Sequence, residues 1–524
     1  RSELIYKTMR YDLIIRGCGI IDGNSTPAYE SDLGIRDKRI AAIGLLPDSE
    51  ADIEIDGSGS DVSPGFIDIH THTDFSILIN PRAESKIRQG VTTEVIGNCG
   101  SSAAPLYGAK LDRVREQNKD LAVDWKTLGE YRARVNNHGT AVNLIPLTGH
   151  GNIRASVMGY NPGPPSRPEM KQMLALLGQS LEEGSRGLST GLVYPPGVFS
   201  GSDELIELLT EVSRLDGIYA THMRNESDRV EEAVEEAINL AEESGVSLQI
   251  SHLKAQGRRN WHRLDNCLNN IESARSRGVD IHCDRYPYIA SATELDILLP
   301  SWTWEGGAEM ELRRLSDPSI RQRIKDEIVK DDWESVVISR VRSEANRGLE
   351  GRNLADIAAD RGMDPVDFLF ALLLEEELGV EVLFFGMSRE NMERVLKKPY
   401  CMVGSDASAR ADYGILARGK PHPRTFGTFP RVLGDLVRGG VLRIEEAVYK
   451  MTGLPASKLG LHDRGVIREG AAADLVIFNQ ARIRDLATYQ NPQLYPEGIE
   501  YVIVNGEIVF KAGEHTGNLP GRFL

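Results

Sequence analysis

The chain has 524 residues, a formal net charge of −16, and a composition of 41% hydrophobic and 26% charged residues. That mixture excludes disorder as the dominant state. The acidic balance, with no run of Lys and Arg, argues against a nucleic-acid partner, because phosphate binding needs a basic face. No segment approaches the roughly 20 apolar residues of a membrane helix.

Cys18, Cys99, Cys267, Cys283 and Cys401 form neither a CxxC pair nor a regular framework, which favours a reducing compartment without disulfides. The first residues, Arg1-Ser-Glu-Leu-Ile-Tyr-Lys7, lack the apolar run of a signal peptide. The expectation is a soluble, cytoplasmic protein acting on a small molecule, with no membrane partner; whether it forms a homo-oligomer is left open.

Short apolar runs at 11–16, 31–36 and 39–44 read as β-strands. The far end repeats the pattern at 473–478, 501–504 and 507–510, with Asn505-Gly506 as a hairpin turn. Between them, apolar segments at 66–72, 92–98, 143–150, 186–192, 218–224, 248–254, 279–286 and 401–407 are each followed by a helix-like stretch. Eight βα units predict a closed (β/α)8 TIM-like barrel in preference to an open doubly wound sheet.

The expected division is 1–63 for the first part of a small β domain and 64–430 for the barrel. A helical connection at 431–464 and the rest of the β domain at 465–524 complete it. An insertion of about 288–350, containing a helix over 319–329, reads equally as a lid over the barrel mouth or as decoration.

Active sites of such barrels sit at the C-terminal strand ends. The predicted ends carry His70 and His72, Cys99, His222, His252 and Asp406. Imidazole, thiolate and carboxylate form the ligand set of zinc and similar ions. His70 and His72, two apart in a strand, share one face. The bland readings are histidines satisfied within a core and, for Cys99, a buried apolar thiol. Among these groups Asp406 is the natural general base, taking a proton from water. A Ser/His/Asp nucleophile is disfavoured, because the histidines are better explained as metal ligands.

The run Pro64-Gly-Phe-Ile-Asp-Ile-His-Thr-His-Thr-Asp74 resembles the opening barrel strand of the amidohydrolase superfamily. The stretches Gly187-Leu-Ser-Thr-Gly-Leu-Val-Tyr-Pro-Pro196, Thr221-His-Met-Arg224, Ser251-His-Leu-Lys254, Asp284-Arg-Tyr-Pro-Tyr288, Gly404-Ser-Asp406 and His422-Pro-Arg-Thr-Phe-Gly-Thr-Phe-Pro430 resemble its D-aminoacylase branch. The likeness covers almost the whole chain. Many binuclear amidohydrolases bridge their metals with a carboxylated lysine on strand four; 186–194 contains no lysine, and Cys99 stands where this branch has a bridging cysteine.

The resemblance implies a barrel packed beside a small β-sandwich built from both chain ends. It implies zinc-dependent hydrolysis of N-acyl-D-amino acids to a carboxylate and a free D-amino acid, the D preference being inherited from the branch. It further implies one tightly held Zn2+ on Cys99, His222 and His252, and a second, weakly filled locus on His70, His72 and Asp406 with Cys99 shared. Arg424, Lys254, Tyr286 and Ser291 are implied for the substrate carboxylate, and Tyr194 for the carbonyl oxygen. Without the resemblance, Lys254 and Arg424 read as solvated surface charge.

The segment 407–420 is longer than the branch pattern and brings Arg410 and Arg418 into competition with Arg424. Glu294, if it reaches the pocket, favours neutral or apolar side chains over acidic ones. His150 ends the third predicted strand and is given no role. The competing readings are a cyclic-amide or dipeptide hydrolase on the same barrel, and a non-catalytic assembly module that keeps only the fold.

Overall fold

The structure, a computed structural model, describes residues 10–328 and 332–524. The N-terminal heptapeptide read above, and Val329 at the end of the predicted 319–329 helix, lie outside the described residues.

The barrel strands are Phe66–Asp68, Val91–Ile96, Asn143–Pro146 continued by Thr148–Gly149, Gly187–Gly191, Ile218–His222, Ser247–Ile250, Ile281–Arg285 and Cys401–Val403. Neighbours pair in parallel throughout. The ring closes between the first and last strands through a bridge of Thr71 with Ala407, the Asp406 N–H donating to His70 O at 2.9 Å, and the His72 N–H donating to Ala407 O at 3.3 Å. The closing seam therefore runs through the predicted functional residues.

Every residue of Val91–Ile96, Gly187–Gly191 and Ile218–His222 is buried, as expected of parallel strands covered on both faces. The outer helices are amphipathic: in Ser202–Arg214, Leu205, Leu208, Leu209 and Val212 form one buried stripe. All eight predicted strands are shorter than expected, the sixth ending at Ile250 and the eighth at Val403. The third breaks after Pro146, which has no N–H to extend a ladder, and His150 instead begins the helix His150–Met158. The first has regular pairing only over Phe66–Asp68, leaving His70 and His72 on the irregular closing segment.

Both chain ends enter one continuous nine-stranded sheet. Asp61–Pro64 joins them, pairing in parallel with Gly19 and Ile20 and antiparallel with Leu475–Phe478. Ile15, Leu33, Val62, Leu475, Ile477 and Ile503 make its apolar core. Asn505 and Gly506 both have positive φ, 48° and 80°, as a tight hairpin turn requires.

Between the seventh and eighth barrel strands, Ala290–Glu294 and Val336–Val341 pair antiparallel with Val380–Phe385. This small sheet carries helices including Ala308–Ser316, Pro318–Glu327, Leu354–Asp360 and Pro365–Glu375 and has its own apolar cluster with Leu315, Ile338, Phe368, Leu372 and Val382. The inserted elements thus run on to Phe385, beyond the expected end near 350. Helical periodicity marks which face of a helix is buried but not which sheet it covers. The helices after 350 therefore read from sequence as barrel helices. Past the barrel, Ile444–Met451 and Gly453–Lys458 lead back to the small sheet. Among the described residues no helix is long and apolar enough to cross a membrane.

Candidate active site

Strand ends and the loops after them bring Cys99, His252 and Asp406 to the barrel mouth, each in left-handed backbone with φ of 51°, 35° and 51°. Such backbone is strained for residues with a Cβ, and persists where surrounding contacts over-determine it. The His252 N–H donates to Asp284 Oδ1 at 2.8 Å, and the Asp406 N–H is held by His70 O. Gly191 permits the close approach of the Cys99 loop to the fourth strand, since a Cβ there would lie 2.3 Å from Cys99 O.

Two donor sets meet at Cys99. His70, His72, Cys99 and Asp406 offer ligand atoms within 4.8 Å of one another, and so do Cys99, His222 and His252. Cys99 Sγ lies 3.2 Å from His70 Nε2 and 3.8 Å from His252 Nε2. Asp406 Oδ1 lies 2.9 Å from His72 Nε2 and 3.4 Å from His70 Nε2. Asp284 Oδ1 sits 3.1 Å from His70 Nδ1, fixing that ring from behind. Thiolate and imidazole donors at this spacing suit zinc by their chemistry.

Burial raises the Cys99 thiol, but the charge of His70 and hydrogen bonds from His222, His252 and His70 outweigh it and hold the group well below its usual range. Asp406 behaves alike: burial pushes it up, and Arg424, His70, His252 and His72 together carry it well below the ordinary carboxylate range. Burial lowers the imidazoles, yet their anionic neighbours win. His72 is raised to about 9, chiefly through Asp406 and Cys99. His252 reaches about 10 through Glu226 and Asp406, despite Lys254. His70, His72 and His252 thus favour their protonated forms beside a thiolate and a carboxylate.

These groups open onto a cavity of about 1330 Å³ lined also by Tyr194, Lys254, Tyr286, Ser291 and Arg424. Arg424 Nη1 lies 2.9 Å from Asp406 Oδ2, with its guanidinium 4.6 Å from the Tyr286 ring centroid. The Tyr194 ring packs edge-on to His222, and its hydroxyl is 3.0 Å from Thr293 Oγ1. Burial, together with Cys99, pushes Tyr194 well above its ordinary value, so the hydroxyl keeps its proton. Ser291 Oγ donates to Gln256 Oε1 at 3.3 Å.

All eleven predicted site residues therefore converge, ten on the cavity wall and His70 fully buried behind it. Arg410 also lines the cavity but donates to the carbonyls of Leu416 and Arg418, while Arg418 is exposed beside Asp120. Glu294 does reach the cavity, as do Asp296, Trp304 and Glu311 of the inserted segment. His150 is buried against Glu204 at 2.7 Å, away from the donor sets. His422 is a satisfied core histidine: Nδ1 accepts from the Arg424 N–H and Nε2 is 2.9 Å from Ala290 O.

Sequence reasoning missed Glu226, four residues after His222, whose carboxylate lies 2.6 Å from Lys254 Nζ and 2.8 Å from His252 Nδ1. An i, i+4 acid after a predicted ligand is too common a spacing to single out. It also missed Asp284, although its motif was quoted.

Fold and donor set together define a barrel hydrolase that works with a bound metal. The sequence profile of the amidohydrolase family matches residues 54–510. A D-aminoacylase of Alcaligenes xylosoxydans xylosoxydans is 36% identical over 98% of this chain and 97% of its own length. The N-acyl-D-glutamate deacylase of Bordetella bronchiseptica superposes with a TM-score of 0.84 at 34% identity, covering 98% of this chain and all of that one; it was solved with zinc and a phosphonate mimic of the tetrahedral intermediate. A D-aminoacylase studied for its binuclear metal centre gives 0.84 at 35% identity, covering 98% and 99% of the two chains. This chain belongs to the D-aminoacylase family of the amidohydrolases.

Proposed function

We propose that this protein hydrolyses the amide bond of N-acyl-D-amino acids, releasing a carboxylate and the free D-amino acid, with zinc as its resident metal. The observation that carries the reading is Cys99, a thiol at the shared corner of two donor sets, opposite a fourth strand, Gly187–Gly191, that has no lysine. That combination argues against the lysine-bridged hydrolases of cyclic amides. The chain's relatives act on N-acyl-D-amino acids.

In this reading Cys99, His222 and His252 hold the ion, and His70, His72 and Asp406, sharing Cys99, form a weaker second locus. Zinc, when bound, supplies a Lewis acid and brings the pKa of water to about 7. Asp406 takes the proton of the attacking water and delivers it to the amine nitrogen as the C–N bond breaks. The Tyr194 hydroxyl donates to the carbonyl oxygen as it gains charge. Arg424 receives the α-carboxylate through its bidentate fork, with Tyr286 against its face. Lys254 and Ser291 complete that end of the pocket.

Among the described residues, those of 64–430 form the catalytic barrel with its insertion, those of 1–63 and 465–524 the small β unit, and 431–464 the connection between them. The elements inserted from 290 to 385 form a wall of the pocket. Five free cysteines fit a reducing cytoplasm.

The test is amine release from N-acetyl-D- and N-acetyl-L-amino acids by zinc-loaded and chelator-treated protein. Zinc-dependent release from the D series alone is expected, and Asp406→Asn abolishes it. Release from neither series by protein that retains zinc overturns the reading in favour of cyclic amides or dipeptides.

A further inference from the structure

Glu226 has no part in the chemistry above, yet it is nearly buried at the centre of four polar contacts. Its Oε2 lies 2.6 Å from Lys254 Nζ and 3.5 Å from His222 Nε2. Its Oε1 lies 2.8 Å from His252 Nδ1 but has no aligned hydrogen bond, and is buried without a partner. His252 Nδ1 is approached instead by Lys254 Nζ at 2.9 Å. The Glu226 carbonyl is fixed as well, accepting from the Gln256 N–H at 2.7 Å.

The tautomer of His252 decides which of these contacts is a hydrogen bond: Nδ1 accepts from Lys254 or donates to Glu226, not both. The ring turns Nε2 towards Cys99 and Asp406, at 3.8 Å and 4.0 Å. A ring whose Nε2 lone pair is given to a metal must carry its proton on Nδ1. It then cannot accept from Lys254, and the acceptor standing within 2.8 Å is the unpartnered Glu226 Oε1.

We infer that Glu226 is a positioning residue for the metal: it accepts the Nδ1 proton of His252, fixes the tautomer that presents Nε2 to the ion, and is itself balanced by Lys254. This rests on the reading of His252 as a zinc ligand. Carboxylates that accept from metal-bound imidazoles raise ligand basicity, and their loss costs about 10- to 100-fold in metal affinity.

The test measures the zinc dissociation constant of the full chain by competition with a chromophoric chelator. Glu226→Gln keeps an acceptor oxygen without the charge and should weaken binding about 10-fold, and Glu226→Ala about 100-fold. Lys254→Met, which leaves the Glu226 carboxylate in place, should change it less than about 3-fold, so a loss through the ion pair alone is told apart. Unfolding in excess chelator should be alike in all three variants, excluding a fold defect as the cause. Zinc affinity unchanged in Glu226→Ala overturns the inference while wild-type zinc dependence stands. A Lys254→Met loss equal to that of Glu226→Ala overturns it too, and a wild-type protein that binds no zinc removes both this inference and the function it rests on.

Discussion

The guanidinium of Arg424 lies 2.9 Å from the Asp406 carboxylate, and both groups are about nine-tenths buried. Under the proposed roles, one side chain serves two anions in turn: the general base in the free protein, and the substrate carboxylate as it enters. Removing one partner of a buried, charged pair typically costs about 2 to 5 kcal/mol, so Arg424→Met should lower kcat/KM by about 30-fold or more. Arg424→Lys should recover only part of this, because an ammonium lacks the planar fork. The check is to compare an N-acetyl-D-amino acid with its α-carboxamide. The variant should lose far more on the acid, and equal losses on both would show that Arg424 does not read the carboxylate.

Zinc affinity should rise with pH. In the metal-free cluster Cys99 is already ionised, while His252 holds its proton to about 10 and His72 to about 9, and His70 is raised as well. A metal binds only neutral imidazole, so it must displace these protons. An ion held on Cys99, His222 and His252 displaces the His252 proton, which by itself gives roughly tenfold tighter binding per pH unit. Filling the His70 and His72 locus displaces about two more and should be steeper. Chelator competition between pH 6 and 9, with proton release followed in weak buffer, checks both slopes; affinity flat with pH would refute the protonated cluster.

Much of this arrangement was legible in the chain because barrel chemistry is confined to strand ends. His70, His72, Cys99, His222, His252 and Asp406 each follow an apolar run, and the fold converts that position into convergence. Glu226 was not legible, since a loop carboxylate acquires its meaning only from Lys254 and His252, which approach from the next strand. Nor was the extent of the insertion, because Leu354–Asp360 and Pro365–Glu375 bury apolar residues in one cluster with Ile338, Val380 and Val382 of a sheet that sequence periodicity cannot tell from the barrel. The positive φ of Cys99, His252 and Asp406 is likewise imposed by tertiary contacts on residues that favour other backbone states.

The inserted segment predicts discrimination by charge. Glu294, Asp296 and Glu311 line the cavity, facing Lys110 and Arg113, and Glu311 Oε1 is buried without a partner. Burial, then Glu294, raises Asp296 to about 8; burial, then Asp296 and Glu294, raises Glu311 to about 9. A pocket end that already resists ionised carboxylates should reject another. N-acetyl-D-glutamate should be turned over at least about tenfold less efficiently than N-acetyl-D-leucine, a difference of about 1.4 kcal/mol. Glu294→Gln should narrow that gap. Equal kcat/KM for the two substrates would contradict it.

Beneath the mouth, Lys86 ties the closing seam together. Its ammonium, fully buried, lies 2.8 Å from Asp68 Oδ2, 2.8 Å from Ser405 Oγ, 2.9 Å from Ala407 O and 3.3 Å from Glu94 Oε1. These partners lie on the first and second strands and in the segment just after the eighth, and His70, His72 and Asp406 follow the first and eighth. Lys86→Met would leave Asp68 and Glu94 buried without their counter-charge, and breaking a buried pair in this way costs about 3 to 5 kcal/mol. The urea midpoint should fall accordingly, and activity should fall with it as residues 70–72 and 405–407 lose their common anchor. Neutralising the acids as well, in Lys86→Met with Asp68→Asn and Glu94→Gln, should recover most of the stability, because the cost comes from the stranded charges. A triple variant no more stable than Lys86→Met would instead assign the loss to the hydrogen bonds with Ser405 and Ala407.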